Sequence, residues 1–289
     1  MDRIIRAWAP GSCGEWLQGW LDGRRVLVSC PIKQGTEVEL SLEPGHGNIL
    51  GLQDRPRSQQ AVHQLLDKQP ERAPFDLHFQ LSSQLPMAKG MASSSADISA
   101  CLAATLRALG QPVEPAKIAQ LAASMEPSDS IMYPELALMD SLSGEHLEAL
   151  PAPPPIALLS LDFGGRIDTL AQLRREQKPL GANHLLYDAL ALLRQGLHEG
   201  NPHAIAEASA ISARANRLNH PKPALKAVER LAKSVGAYGI SIAHSGPLIN
   251  LLLAPDPEQL AYAKAEALKV FPKLAAMQVE LPCGGGVTL

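Results

Sequence analysis

The stretch Pro86-Met-Ala-Lys-Gly-Met-Ala-Ser-Ser-Ser-Ala-Asp97 decides the fold of this chain, because it joins a loop of small residues to a helix. From Ile98 to Leu109 the apolar residues recur with helical spacing. The first N–H groups of a helix have no partner inside the helix, and small residues let a ligand approach the backbone. The stretch therefore predicts an anion site, most naturally a phosphate site.

The serines from Ser93 to Ser95 also allow a simpler interpretation. Serine is a preferred helix N-cap, and Gly110 is a suitable C-terminal stop. The chain contains neither a Walker A pattern nor Gly-x-Gly-x-x-Gly after a strand-like run. Local chemistry thus leaves both a phosphate loop and a plain capped helix open.

The same stretch resembles the phosphate-binding signature Pro-x3-Gly-Leu-x-Ser-Ser-Ala-Ala of the GHMP kinases, which phosphorylate small alcohols. The resemblance implies an ATP site formed by Pro86, Lys89, Gly90, Met91, Ala92, Ser93, Ser94, Ser95 and Ala96. Met91 replaces the usual leucine, and Lys89 and Ser95 replace small neutral residues. Lys89 is expected either to contact phosphate or to point to solvent.

The family resemblance also implies a two-domain α+β fold. Its parts are a ribosomal S5 domain 2-like N-terminal domain and a ferredoxin-like C-terminal domain. The prolines at 151–155 predict an extended linker between domains 1–150 and 156–289. In the second half we expect a strand over Ile156–Phe163 and helices near 182–198, 203–218, 222–235 and 257–269.

Two segments precede the central loop. Residues 45–74 are polar and irregular and predict an insertion with a short helix through Val62, Leu65 and Leu66. Residues Phe75–Leu81 alternate apolar and polar, which predicts a half-buried strand. Strand, loop and helix then follow in the order that the phosphate site needs.

The N-terminal segment predicts a hairpin-like β unit. Strand-like runs at 3–9 and 25–42 flank the predicted loop Ala9–Gly19. Its glycines and proline are compatible with an ordinary turn. The loop sequence Pro-Gly-Ser-Cys-Gly-Glu-x2-Gln-Gly resembles the first motif of one GHMP branch, the L-threonine kinases of cobalamin synthesis and salvage.

That second resemblance implies the substrate. It implies phosphorylation of the L-threonine hydroxyl to O-phospho-L-threonine, for the aminopropanol linker of cobalamin. It places substrate-binding residues at Ser12, Cys13, Gly14, Glu15 and Gln18. On charge and motif position, Glu15 is expected to pair with the substrate ammonium.

A third acidic stretch, Glu126-Pro-Ser-Asp129, follows a predicted helix over Pro115–Met125. Pro127 predicts a bend that puts Glu126 and Asp129 in a loop, where acids are commonly solvated. In the GHMP kinases the matching aspartate approaches the substrate hydroxyl, so the resemblance makes Asp129 the catalytic residue. Glu126 is expected either to bind Mg2+ together with Ser94 or to cap the preceding structure.

Residues Gly236–Pro247 and Leu248–Leu253 predict two short strands around a glycine turn. This pattern resembles the third GHMP motif and adds His244, Ser245 and Gly246 to the substrate-binding set. Without the resemblance, an ordinary hairpin with an exposed His244 is the simpler interpretation.

Composition excludes several other classes of function. The chain has 289 residues, 46 % apolar, with 26 basic and 29 acidic side chains, so it can bury a sizeable core. Aromatic residues make up 4 % and no basic stripe is present, which argues against a nucleic-acid partner. No apolar run reaches the roughly 18 residues of a membrane span, and no signal peptide is recognisable, so we expect no membrane partner and a cytoplasmic location.

The four cysteines show no metal-ligand spacing and are expected to be free thiols, with Cys13 a candidate reactive thiol. The sequence allows a homodimer but does not require one. ATP and Mg2+ are the expected cofactors, and the small-molecule substrate is the expected partner.

Three alternatives to an L-threonine kinase remain at this point. A homoserine kinase or another small-alcohol kinase would keep the central loop, but would lack the Gly-Ser-Cys-Gly-Glu segment. A nucleotide-responsive binding protein would keep the loop without turnover. A serine hydrolase using Lys89 and the nearby serines is disfavoured, because the Gly-x-Ser-x-Gly elbow is missing.

Overall fold

The structure is a computed structural model that describes residues 4–68, 75–166, 169–176 and 183–289. Over these residues it is a mixed α+β fold built on one curled sheet of ten strands. The strands are β1 (Ile5–Leu21), β2 (Arg24–Pro44), β3 (Ile49–Leu50), β4 (Phe75–Ser83), β5 (Leu136–Asp140), β6 (Glu145–Leu150), β7 (Ala157–Asp162), β8 (Gly239–Ile242), β9 (Leu248–Leu253) and β10 (Ala276–Glu280).

Helices cover this sheet. They are α1 (Pro56–Asp67), α2 (Ser93–Ala108), α3 (Pro115–Met125), α4 (Thr169–Arg175), α5 (His184–Glu199), α6 (Pro202–Ala215), α7 (Leu225–Ser234) and α8 (Pro257–Val270). In the part of the chain that the structure describes, every helix is too short or too polar to cross a lipid bilayer.

The strand order is β10-β7-β9-β8-β1-β2-β4-β3, with β5 also paired to β2 and β6 to β5. Every pairing is antiparallel except the short one between β3 and β4. One pair, Glu15 opposite Ile242, joins the strands of the two halves. The linker at 151–155 lies between β6 and β7, and the domain boundary stays a prediction.

The predicted loop over Ala9–Gly19 is wrong. This segment belongs to β1, which pairs with β2 along most of its length. The pairing register shifts at Pro10/Gly11 and again on both sides of Glu15, so the proline and glycines produce bulges instead of a loop. The bulges keep the motif in the sheet while changing the direction of its side chains.

Most other predicted elements are confirmed. The strand before the central loop, the helix after it, and the helix over Pro115–Met125 occur as expected. The predicted helix in the insertion is α1, while residues 69–74 of that insertion lie outside the described residues. In the second half the predicted helices correspond to α5 to α8, and position 182 also lies outside the described residues.

Candidate active site

A cavity of about 370 Å3 opens above the central loop. Its wall combines the loop with the start of α1, the turn after α3, and two residues from the second half of the chain. The lining residues are Asp54, Arg55, Pro56, Arg57, Ser58, Met87, Ala88, Gly90, Met91, Ala92, Ser93, Ser94, Ser95, Asp97, Glu126, Pro127, Asp129, Arg166 and Ser245. The predicted phosphate loop and the predicted acidic turn therefore meet in one cavity.

The loop has the backbone conformation of an anion cradle. Gly90 has φ +79°, and a Cβ there would lie 2.7 Å from Ala243 Cβ and 3.0 Å from Gly246 Cα. Ala92, with φ 55°, is the N-cap of α2, and no side chain caps the helix. The serine-cap interpretation is therefore wrong, and the start of α2 faces the cavity without a capping side chain to compete with a ligand.

The serines of the loop bind the two acids of the turn. Ser94 Oγ donates to a carboxylate oxygen of Glu126. Ser95 Oγ donates to Asp129 Oδ2 at 3.0 Å and accepts the Asp129 backbone N–H at 3.2 Å. Ser95 thus fixes the carboxylate that was predicted to be catalytic, in addition to lining the cavity.

Asp129 is half-buried and held from two sides. Ser29 Oγ donates to Asp129 Oδ1 at 3.3 Å, opposite the bond from Ser95. Burial raises the pKa of the Asp129 carboxyl to about 6, and the nearby Glu15 charge adds to the increase. A positioned carboxylate with a pKa near neutrality is suited to accept a proton from a substrate hydroxyl.

Glu126 presents oxygen atoms at the same cavity. Besides its contact with Ser94, it forms an ion pair with Arg57 at 3.1 Å. A carboxylate next to a hydroxyl fits Mg2+, which takes few protein ligands and completes its shell with phosphate and water oxygens. Within the described ranges, no group of three or more His, Cys, Asp or Glu side chains forms a metal site by itself.

The first motif lies behind the cavity wall. Ser12 Oγ donates to the Gly14 carbonyl at 2.6 Å, and Gly14, with φ +79°, has no room for a Cβ against the Ile242 carbonyl. Cys13 is fully buried, and burial raises the pKa of its thiol to about 12. The prediction that Cys13 is a reactive thiol is therefore wrong.

Glu15 is connected to the third motif. Its Oε2 accepts the His244 backbone N–H at 2.9 Å and lies 2.9 Å from His244 Nδ1. Burial lowers the pKa of His244 to about 3 and raises that of Glu15 to about 7. The interpretation of His244 as exposed is wrong, since it is 1 % exposed.

The remaining residues of the first and third motifs lie in different places: one is in the interior, one lines the cavity, and one packs on the central loop. Gln18 is buried, and its Nε2 lies 3.4 Å from His220 Nε2. Ser245 lines the cavity, and Gly246 contacts the phosphate loop so closely that a Cβ there would lie 2.2 Å from the Lys89 carbonyl oxygen.

Lys89 does not point to solvent, whereas its contact with phosphate stays a prediction. Its Nζ lies 2.8 Å from Asp162 Oδ2 at the end of β7, and the side chain is 20 % exposed. The lysine therefore connects the phosphate loop to the second half of the sheet. No local sequence signal identifies a partner that is so distant along the chain.

Four further basic side chains were missed by the sequence analysis. Arg55, Arg57 and Arg166 line the cavity, where positive charge favours a polyphosphate. Lys222 donates to the Ala243 carbonyl at 2.6 Å and to the Gly246 carbonyl, which fastens the turn that packs on Gly90. The motif Gln-Asp-Arg-Pro-Arg-Ser at 53–58 gave only the signal of an irregular insertion.

Known proteins resemble this chain in sequence and in fold. Residues 58–133 match the family profile described as GHMP kinases N terminal domain. An L-threonine kinase of Salmonella typhimurium is 34 % identical over 269 residues, 92 % of this chain and 88 % of its own. An L-threonine kinase of Citrobacter freundii is 33 % identical over 263 residues, 89 % of each chain.

Two solved structures share the fold at low sequence identity. A homoserine kinase from Cytophaga hutchinsonii superposes with a TM-score of 0.76 at 19 % identity, covering 100 % of this chain and 98 % of its own. A Lactococcus lactis galactokinase complexed with galactose gives 0.75 at 12 % identity, covering 99 % and 95 %. These two similarities bear on the fold alone.

Proposed function

The chain belongs to the GHMP kinase family, and from that premise we propose that it transfers the γ-phosphate of ATP to the hydroxyl of L-threonine. It is a phosphotransferase that acts on an alcohol. The observation that carries the proposal is the position of Asp129, a half-buried carboxylate held by two serines at the wall of the cavity that the central loop forms.

The phosphate loop positions the nucleotide. Backbone N–H groups around Gly90 and at the start of α2 donate to the phosphate oxygens, and the helix dipole favours their charge. Arg55, Arg57 and Arg166 add positive charge along the same wall. Phosphoryl transfer needs mainly alignment and neutralisation of charge, and this wall offers both.

Asp129 acts on the acceptor. Its carboxylate orients the threonine hydroxyl toward the γ-phosphate and accepts its proton. Ser94 and Glu126 would hold Mg2+, whose charge would stabilise the phosphate oxygens during transfer. The products are ADP and O-phospho-L-threonine.

The activity is expected to fall on the acid side. Because the pKa of Asp129 is raised to about 6, its basic form is lost as the pH falls through that value. The value of kcat/KM for threonine should therefore decrease about tenfold per pH unit well below pH 6 and level off above it. A pH profile of initial rates tests this, and a flat profile down to pH 5 would contradict it.

The substrate is tested by measuring ADP release with ATP and Mg2+ in the presence of L-threonine, L-serine, L-homoserine or water. We expect the largest kcat/KM with L-threonine. A preference for L-homoserine would assign the chain to the alternative that the homoserine kinase fold neighbour suggests. Nucleotide binding without turnover of any acceptor would favour a nucleotide-responsive binding protein.

We also propose that the product serves the aminopropanol linker of cobalamin, as the resemblance of the first motif implies. The cytoplasmic location and the homodimer stay predictions from the sequence.

A further inference from the structure

A buried ion pair lies beside the candidate active site and has no role in the mechanism above. Arg25 Nε donates to both carboxylate oxygens of Glu176, at 3.2 and 3.0 Å. The two side chains are 5 % and 1 % exposed. A buried pair of this kind stabilises a fold weakly at best, because desolvation offsets the attraction between the charges. Its retention in the interior therefore invites a functional explanation.

The guanidinium of Arg25 retains hydrogen-bonding capacity. Its Nη1 donates to Ser141 Oγ at 3.1 Å, and its Nη2 makes no hydrogen bond to any residue that the structure describes. The contact with Glu176 uses Nε alone, so the two-pronged face that arginine offers to a carboxylate is not engaged. Arg25 is thus able to bind a second carboxylate or to exchange the first.

The pair lies on the polar face of the β1–β2 hairpin. Cross-strand pairs share one face of a sheet, and here they are Trp20 with Arg25, Gln18 with Leu27, and Glu15 with Ser29. The apolar core cluster instead contains Leu17, Val26 and Val28 from the alternate positions. Leu27 is buried but belongs to neither apolar cluster.

This face connects Arg25 to Asp129. Arg25 and Ser29 are four residues apart on β2, about 13 Å between Cα atoms at the usual strand rise. The Asp129 carboxylate lies at the Ser29 end of this distance, because Ser29 Oγ donates to Asp129 Oδ1. A second connection runs through Ser141, whose carbonyl accepts the Ser128 N–H at 3.0 Å. The Arg25 charge also acts on the Asp129 carboxyl, since it lowers the pKa of that group against the effect of burial, so the two side chains lie within electrostatic reach of each other.

We propose that Arg25 and Glu176 form the receptor for the zwitterionic end of the amino-acid substrate. Arg25 binds the α-carboxylate, Glu176 binds the α-ammonium, and the hydroxyl then reaches Asp129. The inference rests on the proposed function, since it names the groups that select an amino acid among alcohols. In the free protein the charges of Arg25 and Glu176 neutralise each other. When the substrate binds, its carboxylate takes the place of Glu176 beside Arg25, and its ammonium takes the place of Arg25 beside Glu176.

This assignment differs from the one that the sequence suggested for Glu15. The Glu15 carboxylate is engaged by the backbone and ring of His244, so it holds the third motif in place. Glu176 is bonded instead to Arg25 and to Trp20 Nε1, at 2.9 Å for the latter. An incoming zwitterion can replace Arg25 as the partner of Glu176 without leaving a buried charge alone.

The test uses binding by calorimetry without nucleotide, for three ligands that differ by one charged group. They are L-threonine, (R)-1-amino-2-propanol, which lacks the carboxylate, and (R)-3-hydroxybutyrate, which lacks the ammonium. Arg25→Gln should weaken L-threonine about 10- to 100-fold and leave the amino alcohol within about threefold. Glu176→Gln should weaken L-threonine similarly and spare the hydroxy acid.

Removing one member of a buried pair can prevent folding, so a double variant is included. Arg25→Gln with Glu176→Gln leaves no unpaired charge and should keep the thermal unfolding midpoint near that of the parent. It should bind the three ligands with similar, weak affinity. Arg194→Gln is the matched control, since it breaks a half-exposed ion pair with Glu148 elsewhere and should change nothing. Glu15→Gln should weaken all three ligands equally.

The outcomes separate the two hypotheses. If the Arg25 variant weakens L-threonine and the amino alcohol by the same factor, the pair is structural and the inference is wrong. If the Arg25 and Glu176 variants change the binding of the three ligands as expected, but the parent does not phosphorylate L-threonine, only the proposed function is wrong. If the parent phosphorylates L-threonine, but the variants do not change ligand binding as expected, only the receptor assignment is wrong. A parent that neither binds nor phosphorylates L-threonine would overturn both.

Discussion

The Gly90→Val variant is expected to lose ATP binding while the protein remains folded. Gly90 has φ +79°, a conformation that a β-branched residue rarely adopts. Its Cβ would also lie 2.7 Å from Ala243 Cβ, in the turn that Lys222 fastens through two carbonyls. Because that turn is fixed, the phosphate loop must move, and its N–H groups then no longer converge on the phosphates.

Calorimetry measures the affinity of the variant for ATP, and circular dichroism measures whether the variant remains folded. Gly110→Val is the matched control, because Gly110 also has positive φ, at +68°, but a Cβ there would meet nothing within 4 Å. It imposes comparable backbone strain at the far end of α2 and should leave the affinity for ATP unchanged. Unchanged affinity in the Gly90 variant would show that the phosphates bind elsewhere.

The central loop and its helix were predictable because their signals are local. Small residues followed at once by helical spacing require no knowledge of distant partners, and the predicted helix occurs as α2, which begins at Ser93 and so includes the three serines. The bend at Pro127 is local in the same sense, and it correctly put Asp129 in a turn. Resemblance to the family then supplied the relation between these segments.

Other features depend on tertiary contacts and could not be predicted in this way. The segment Ala9–Gly19 contains the residues of a loop, yet pairing with β2 draws it into the sheet. The role of Arg57 depends on where α1 lies over the cavity, which no local pattern encodes. Arg25 and Glu176 are separated by 151 residues, so their pairing leaves no trace in the periodicity of either segment.

The Asp129→Asn variant is expected to lower kcat by about 10²- to 10⁴-fold, the usual contribution of a positioned general base. Asparagine keeps the shape of the side chain and removes its charge. One of the two serine hydroxyls, Ser29 or Ser95, can still donate to the amide oxygen, and the other can rotate to accept from the amide nitrogen, so the turn should persist. The affinity for ATP should stay within a few-fold, because the phosphates are held by the loop and not by this carboxylate.

Single-turnover rates, ATP calorimetry and a thermal unfolding curve would measure these three quantities for the variant. Ser128→Ala is the neighbouring control, since its hydroxyl lies 3.3 Å from Ser95 Oγ but does not bond the Asp129 carboxylate. Its effect on kcat should be comparatively mild. The acid limb of the pH profile should also disappear in the Asn variant, because the group that titrates there has been removed.

A variant that turns over L-threonine at nearly the parent rate would exclude Asp129 both as base and as essential orienting group. The substrate hydroxyl would then lose its proton late, to the phosphoryl group that it receives, since a loose transition state demands little deprotonation of the nucleophile. Catalysis would rest on alignment and charge neutralisation by the loop. In that case the raised pKa of Asp129 would reflect only its burial and the nearby Glu15 charge. The acid limb of the pH profile would then persist in the Asn variant, because another group would cause it.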